Sequence, residues 1–166
     1  NPDAVIEVAD DGQSLWISPT HGPPIDLRYL ANGGQLFLVL RPSSLLGSEE
    51  GERVFDALGP RALAGRDFVL QATGFEWMDI ERLLVALYPN EGQPLDVAMV
   101  VTLRESKSND ELLQAWHDPK ETGKAHKFYQ GSPWAYYIPP AGGGRTFAVM
   151  PPKLMNEMLA MDGPPL

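Results

Sequence analysis

Leu83-Leu84-Val85-Ala86-Leu87-Tyr88, the tetrapeptide Pro89-Asn90-Glu91-Gly92, and the run Leu95-Asp96-Val97-Ala98-Met99-Val100-Val101-Thr102-Leu103 form the stretch on which the fold turns. Each apolar run is too short for an ordinary buried helix, and the residues between them are turn formers, so the pair reads as two strands of a hairpin. Strands joined this tightly must be antiparallel, because a parallel pair needs a crossover of about a dozen residues. Ser108-Asn109-Asp110-Glu111 follows, with the Ser-x-x-Glu spacing of a capping box, and Leu112, Leu113 and Trp116 form an inward helical face behind it. That helix has to cover an apolar face of the sheet.

Downstream, residues 128–129 and 134–138 are β-like, 139–144 turns the chain, and 146–150 is a further strand. Pro151-Pro152 stands where a helix opens, and Leu154, Met155, Met158 and Leu159 make a stripe that ends at Gly163-Pro164. Upstream, residues 35–41 are a continuous apolar run between breakers and predict a buried strand, which Pro42-Ser43-Ser44 ends. Ser48 with Glu49 and Glu50 predicts a helix start, Val54, Phe55 and Leu58 share its face, and Gly59-Pro60 stops it. Residues 66–73 read as helix ahead of Gly74, and Asp26 to Leu30 as a short helical turn. At the beginning, Val5-Ile6 with Val8 and Leu15-Trp16-Ile17 flank Asp10-Asp11-Gly12-Gln13 as a hairpin, before the breakers of residues 19–24.

Strand, strand, helix thus recurs three times, as a repeat would, though with little identity between copies. The expectation is an α+β fold: a mostly antiparallel sheet built from hairpins, with amphipathic helices packed on one side. No linker is long enough to divide two cores, so residues 1–166 form one domain, read as a fragment of a longer or processed chain because it opens Asn1-Pro2-Asp3. With 16 glycines and 16 prolines, the elements should be short and the turns many.

Charge narrows the function. Thirteen basic residues against 22 acidic ones give a net charge of −9 and no segregated basic face, which excludes a simple nucleic-acid or anionic-membrane binder. The absence of cysteine removes disulfides, thiolate metal sites and thiol nucleophiles. No apolar run approaches the roughly 18 residues that a membrane-spanning helix needs.

Asp10-Asp11-Gly12, residues 15–20 (Leu-Trp-Ile-Ser-Pro-Thr), Leu38-Val39-Leu40-Arg41-Pro42, the Glu81-Arg82 pair, and Ala135-Tyr136-Tyr137-Ile138-Pro139 with Arg145-Thr146-Phe147-Ala148-Val149 together carry a resemblance. The chain resembles an uncharacterised type of bacterial domain found in predicted envelope proteins, over most of its length. The shared motifs mark turns and strand ends. The resemblance implies an extracytoplasmic setting and a non-catalytic role within a longer polypeptide, and it transfers no active-site residue.

Three groups of residues are candidates for a site. His117, Asp118, Glu121 and His126 supply imidazole and carboxylate donors within ten residues, the basis of an alternative reading as a metal-dependent hydrolase; their spacing matches no metal motif, and Pro119 argues for a loop. Gly142-Gly143-Gly144-Arg145-Thr146 lacks the lysine of a phosphate loop and is followed by a strand, so it reads as a hairpin turn. The third is aromatic. Tyr129, Trp134, Tyr136 and Tyr137, with Phe128 and the cations Lys124 and Lys127 alongside, make a strip suited to a protein, peptide or glycan partner. Trp134 and Tyr136 face one way on a strand and Tyr137 the other.

Arg41 and Arg104 each end a strand, where a guanidinium can clasp loop carbonyls or meet a small anion. Asp79, Glu81 and Arg82 are expected to fix a turn by capping and charge pairing. No nucleophile elbow, zinc-protease motif or Ser-x-x-Lys set is present, and no cofactor is implied. The sequence therefore points to a non-catalytic binding or scaffold module.

Overall fold

The fold is described from a computed structural model covering residues 25–90, 92, 94–123 and 126–161. The expected hairpin at residues 5–17, the breakers that follow it, Lys124, and the stop at Gly163-Pro164 lie outside the described residues.

Among the described residues, five α-helices and seven strands follow in the order β1 (Leu36–Leu40), α1 (Pro42–Leu46), α2 (Glu49–Leu58), α3 (Pro60–Thr73), β2 (Ile80–Tyr88), β3 (Asp96–Leu103), α4 (Asn109–Ala115), β4 (Lys120–Thr122), β5 (Phe128–Gln130), β6 (Ala135–Tyr137), β7 (Thr146–Met150) and α5 (Pro152–Leu159). The strands make one antiparallel sheet in the order β1-β2-β3-β7-β6-β5-β4. The fold is α+β, as the hairpin reading requires. Two meanders, β1-β2-β3 and β4-β5-β6-β7, meet where β3 pairs β7 with Val101 opposite Phe147.

Strand alternation builds two apolar layers. Leu83, Met99, Val101, Phe147 and Val149 point to the face covered by α2, α3 and α4, and pack with Phe55, Val69, Ala72, Leu112 and Trp116. Leu84, Ala86, Tyr88, Ala98 and Ala148 point to the other face, against Leu154, Met155 and Met158 of α5 and Leu30 and Ala31 ahead of β1. Helices therefore cover both faces, not one side as expected. Because α4 and α5 lie on opposite faces, β2-β3-α4 and β6-β7-α5 are not copies of one arrangement.

Other departures have local causes. Among the described residues β1 is an edge strand with Leu36, Phe37 and Leu38 exposed, so its apolar run does not make it the buried strand expected. Pro42-Ser43-Ser44 ends that strand and also opens α1, since proline suits the first turn, where its missing N–H would have had no partner. Pro60 likewise stops α2 and starts α3, which begins six residues before the predicted helix. Only Phe55 of the α2 stripe is buried, Val54 and Leu58 being exposed. Gly74 does end α3, at φ 76°, in the left-handed conformation a C′ glycine supplies.

The charge pairing expected around Asp79 is different. Glu81 pairs with Arg145, the Asp79 carbonyl accepts the Arg104 amide at 2.8 Å, and Arg82 turns to the face that α5 covers. A bulge between Ile80 and Arg82 separates these neighbours.

Candidate functional site

The aromatic strip of the sequence opens onto a cleft of about 590 Å³ on the α3–α4 face. Its base is set by Trp116 at the end of α4. The capping box fixes where α4 begins: Ser108 Oγ accepts from the Glu111 amide, and the Glu111 carboxylate accepts from the Ser108 amide at 2.8 Å. The Ser108 amide, and after it the Ser108 hydroxyl at 2.7 Å, donate to the Glu111 carboxylate and hold its carboxyl below the ordinary range. One helical stretch later, Trp116 Nε1 donates to the Thr73 carbonyl at 2.9 Å, tying α4 to the end of α3. Its ring stacks on Tyr136 with centroids 4.4 Å apart and planes 9° apart, and meets Phe147 edge-on at 5.0 Å.

After Trp116 the chain reverses through His117 at φ 60° and Asp118 at φ 52°, with the Asp118 amide returning to the Leu113 carbonyl at 2.9 Å. Two successive non-glycine residues in the left-handed region cost free energy, of the order of 1 kcal/mol each. The turn sets His117 and Pro119 at the rim. Opposite, the Gly131 amide donates to the Trp134 carbonyl at 2.9 Å, closing the loop that contains the cis Ser132–Pro133 peptide. That loop carries Trp134 against Phe68 of α3, with centroids 5.7 Å apart and an interplanar angle of 78°. Phe68 and Gln71 share a helical face, which brings Gln71 to the same cleft.

Trp134 and Tyr136 therefore meet at this cleft, Trp134 half-buried and Tyr136 almost wholly buried. Burial pushes the Tyr136 hydroxyl above the ordinary tyrosine range. Tyr129 lies behind it, 6.5 Å from Trp116. Tyr137 is on the opposite face of the sheet, 6.2 Å from Tyr29. Burial, with the neighbouring Tyr29 second, also raises its hydroxyl.

The remaining sequence candidates are dispersed. Arg104 is exposed, donates to the Met78 carbonyl at 3.4 Å, and lines a separate open depression beside α1. Glu121 pairs with Lys127 at 2.9 Å across the β4–β5 hairpin, which occupies what read as a polar loop. Asp118 and His126 are exposed. Among the described residues, no three His, Asp or Glu side chains converge as metal ligands.

Phe68, Gln71 and Trp116 were not singled out together by sequence reasoning, because they lie far from Trp134 along the chain. The available signal was the Trp116 position on the inward face of the capped helix. Chemically the cleft offers aromatic rings, two prolines, an imidazole, a carboxamide and the Ser132 hydroxyl. No hydrogen bond joins Ser132 to His117 among the described residues, so the pairing that activates a serine nucleophile is not made there.

Among the described residues, no helix is long and apolar enough to cross a membrane. No family model, curated protein or solved structure matches the chain.

Proposed function

We propose that the domain is a non-catalytic binding module that holds a peptide segment of a partner protein in the cleft between Phe68 and Trp134. The observation that carries this reading is an aromatic cleft whose rings are fixed by their own neighbours. Trp116 and Tyr136 spend a face on each other, and Phe68 and Trp134 are set edge to face. With Trp116 and Tyr136 stacked on each other and Pro119 and Pro133 beside them, the cleft suits an apolar or proline-containing side chain, with Gln71 and His117 available for its backbone groups. Pre-ordering of the rings lowers the entropy cost of binding.

An extracytoplasmic setting belongs to the same proposal and rests on the sequence motifs alone. Fractionating cells that express the full reading frame tests that location. A purely cytoplasmic pool would overturn it.

The binding reading is tested by screening the protein against an array of proline- and leucine-containing decapeptides, followed by NMR titration of the best binder. The expected result is saturable shifts at the Trp134 indole and the Gln71 amide, with Trp134→Ala weakening binding by about 30-fold or more, as for an anchor residue. Saturable shifts produced by oligosaccharides but by no peptide would overturn it.

A further inference from the structure

On the opposite face of the sheet, a polar row interrupts the apolar layer. Arg82 of β2 stands opposite Thr102 of β3, which stands opposite Thr146 of β7, so the three side chains line up across adjacent strands roughly 4.8 Å apart. The two threonine hydroxyls are 3.5 Å apart, and all three residues are half-buried. They sit in a cleft of about 180 Å³, with Leu84 and Val100 beside them and Asp26, Arg28 and Tyr29 along its wall.

The charge balance in the cleft is uneven. Asp26 is committed to Arg28: its oxygens accept from Arg28 Nε at 2.9 Å, from Nη2 at 2.6 Å, and from the Arg28 amide at 3.1 Å. Arg28 also lies over the Tyr29 ring, 5.5 Å from its centroid. The Arg82 guanidinium helps hold the Asp26 carboxyl low through space, after Arg28, but makes no hydrogen bond or ion pair among the described residues. A half-buried guanidinium with five free donors is costly to leave unpaired. Among the described residues, one carboxylate against two guanidiniums leaves the cleft with a single positive charge, within a chain of net charge −9.

We propose that this cleft binds a small free carboxylic acid. The carboxylate lies on the Arg82 fork and accepts from the Thr102 and Thr146 hydroxyls, while the apolar body rests on Leu84, Val100 and the Tyr29 ring. A monoanion balances the single excess charge, whereas a phosphate dianion exceeds it. The planar guanidinium matches a carboxylate through two parallel hydrogen bonds. This site is on the other side of the sheet from the peptide cleft and does not depend on it.

NMR titration of the full chain with sodium butyrate, and separately with inorganic phosphate, tests the assignment. Butyrate should produce saturable shifts at the Thr102 and Thr146 methyls, with phosphate binding more weakly. Arg82→Gln should weaken butyrate by about 10-fold or more, the scale of a charge-assisted hydrogen bond. The near-isosteric Thr102→Val should weaken it several-fold while leaving the circular dichroism spectrum and melting temperature close to wild type. Butyrate that causes no saturable shift, phosphate that binds more tightly, or Thr102→Val that binds butyrate as well as wild type would each overturn the proposal.

Discussion

Tyr88 shows how one side chain can link a loop to the sheet and set a pH limit. Its hydroxyl donates to the Ala31 carbonyl at 2.8 Å, joining the segment before β1 to the end of β2, and the residue is only 4% exposed. Burial, with the Glu157 carboxylate adding to it, pushes its pKa up from 10.0 to about 12. The folded chain therefore holds this proton more tightly than the unfolded chain. Ionisation of this phenol leaves stability unchanged below about pH 10 and lowers it as the pH rises through the interval to about 12, because the folded chain resists the charge that the unfolded chain accepts. Urea denaturation at pH 9 and pH 11.5 should show a smaller loss for Tyr88→Phe than for wild type, and the variant should be about 1 kcal/mol less stable at pH 7. Equal losses in the two proteins would assign the alkaline weakening to other groups. At the peptide cleft, His117→Gly should relieve the left-handed backbone and raise stability by up to about 1 kcal/mol while weakening binding, a combination that thermal melts and peptide titration would reveal together.

Elements differ in how much a small change can disturb them. α2 packs so closely on α1 that a Cβ added at Gly51 would lie 1.7 Å from the Leu45 carbonyl oxygen. Gly51→Ala must push the two helices apart, so we expect a loss of about 2–4 kcal/mol by chemical denaturation, despite the better helix propensity of alanine. Ser108→Ala removes only the cap of α4 and should cost about 1 kcal/mol. The cap was legible in the sequence because its two partners are three residues apart. So were β2, β3 and β7, whose apolar runs have clear turn signals at their ends. α1 and the first turn of α3 were not, because a proline that ends one element also opens the next. The packing of Gly51 was illegible because its neighbour belongs to another helix.

At the scale of the whole molecule, position in the sheet decides tolerance. Leu38 on the edge strand and Ala148 on a central strand are both apolar strand residues, but the first is 46% exposed and the second fully buried. Leu38→Lys should change the denaturation midpoint by no more than about 1 kcal/mol, whereas Ala148→Lys buries an unpaired charge and should leave little folded protein. The sequence showed antiparallel hairpins but not their order across the sheet, which rests on pairings such as Val101 with Phe147 between residues far apart in the chain. The placement of α5 opposite the other helices was hidden for the same reason, and so was the gathering of Phe68, Trp116 and Trp134 at one cleft. That order has a consequence for biosynthesis. The strand that closes the middle of the sheet, β7, is made after all the other described strands, so the first meander waits with an uncapped flank while about forty further residues are translated. A slow ribosome in that interval would favour capture by chaperones or inclusion bodies over native assembly.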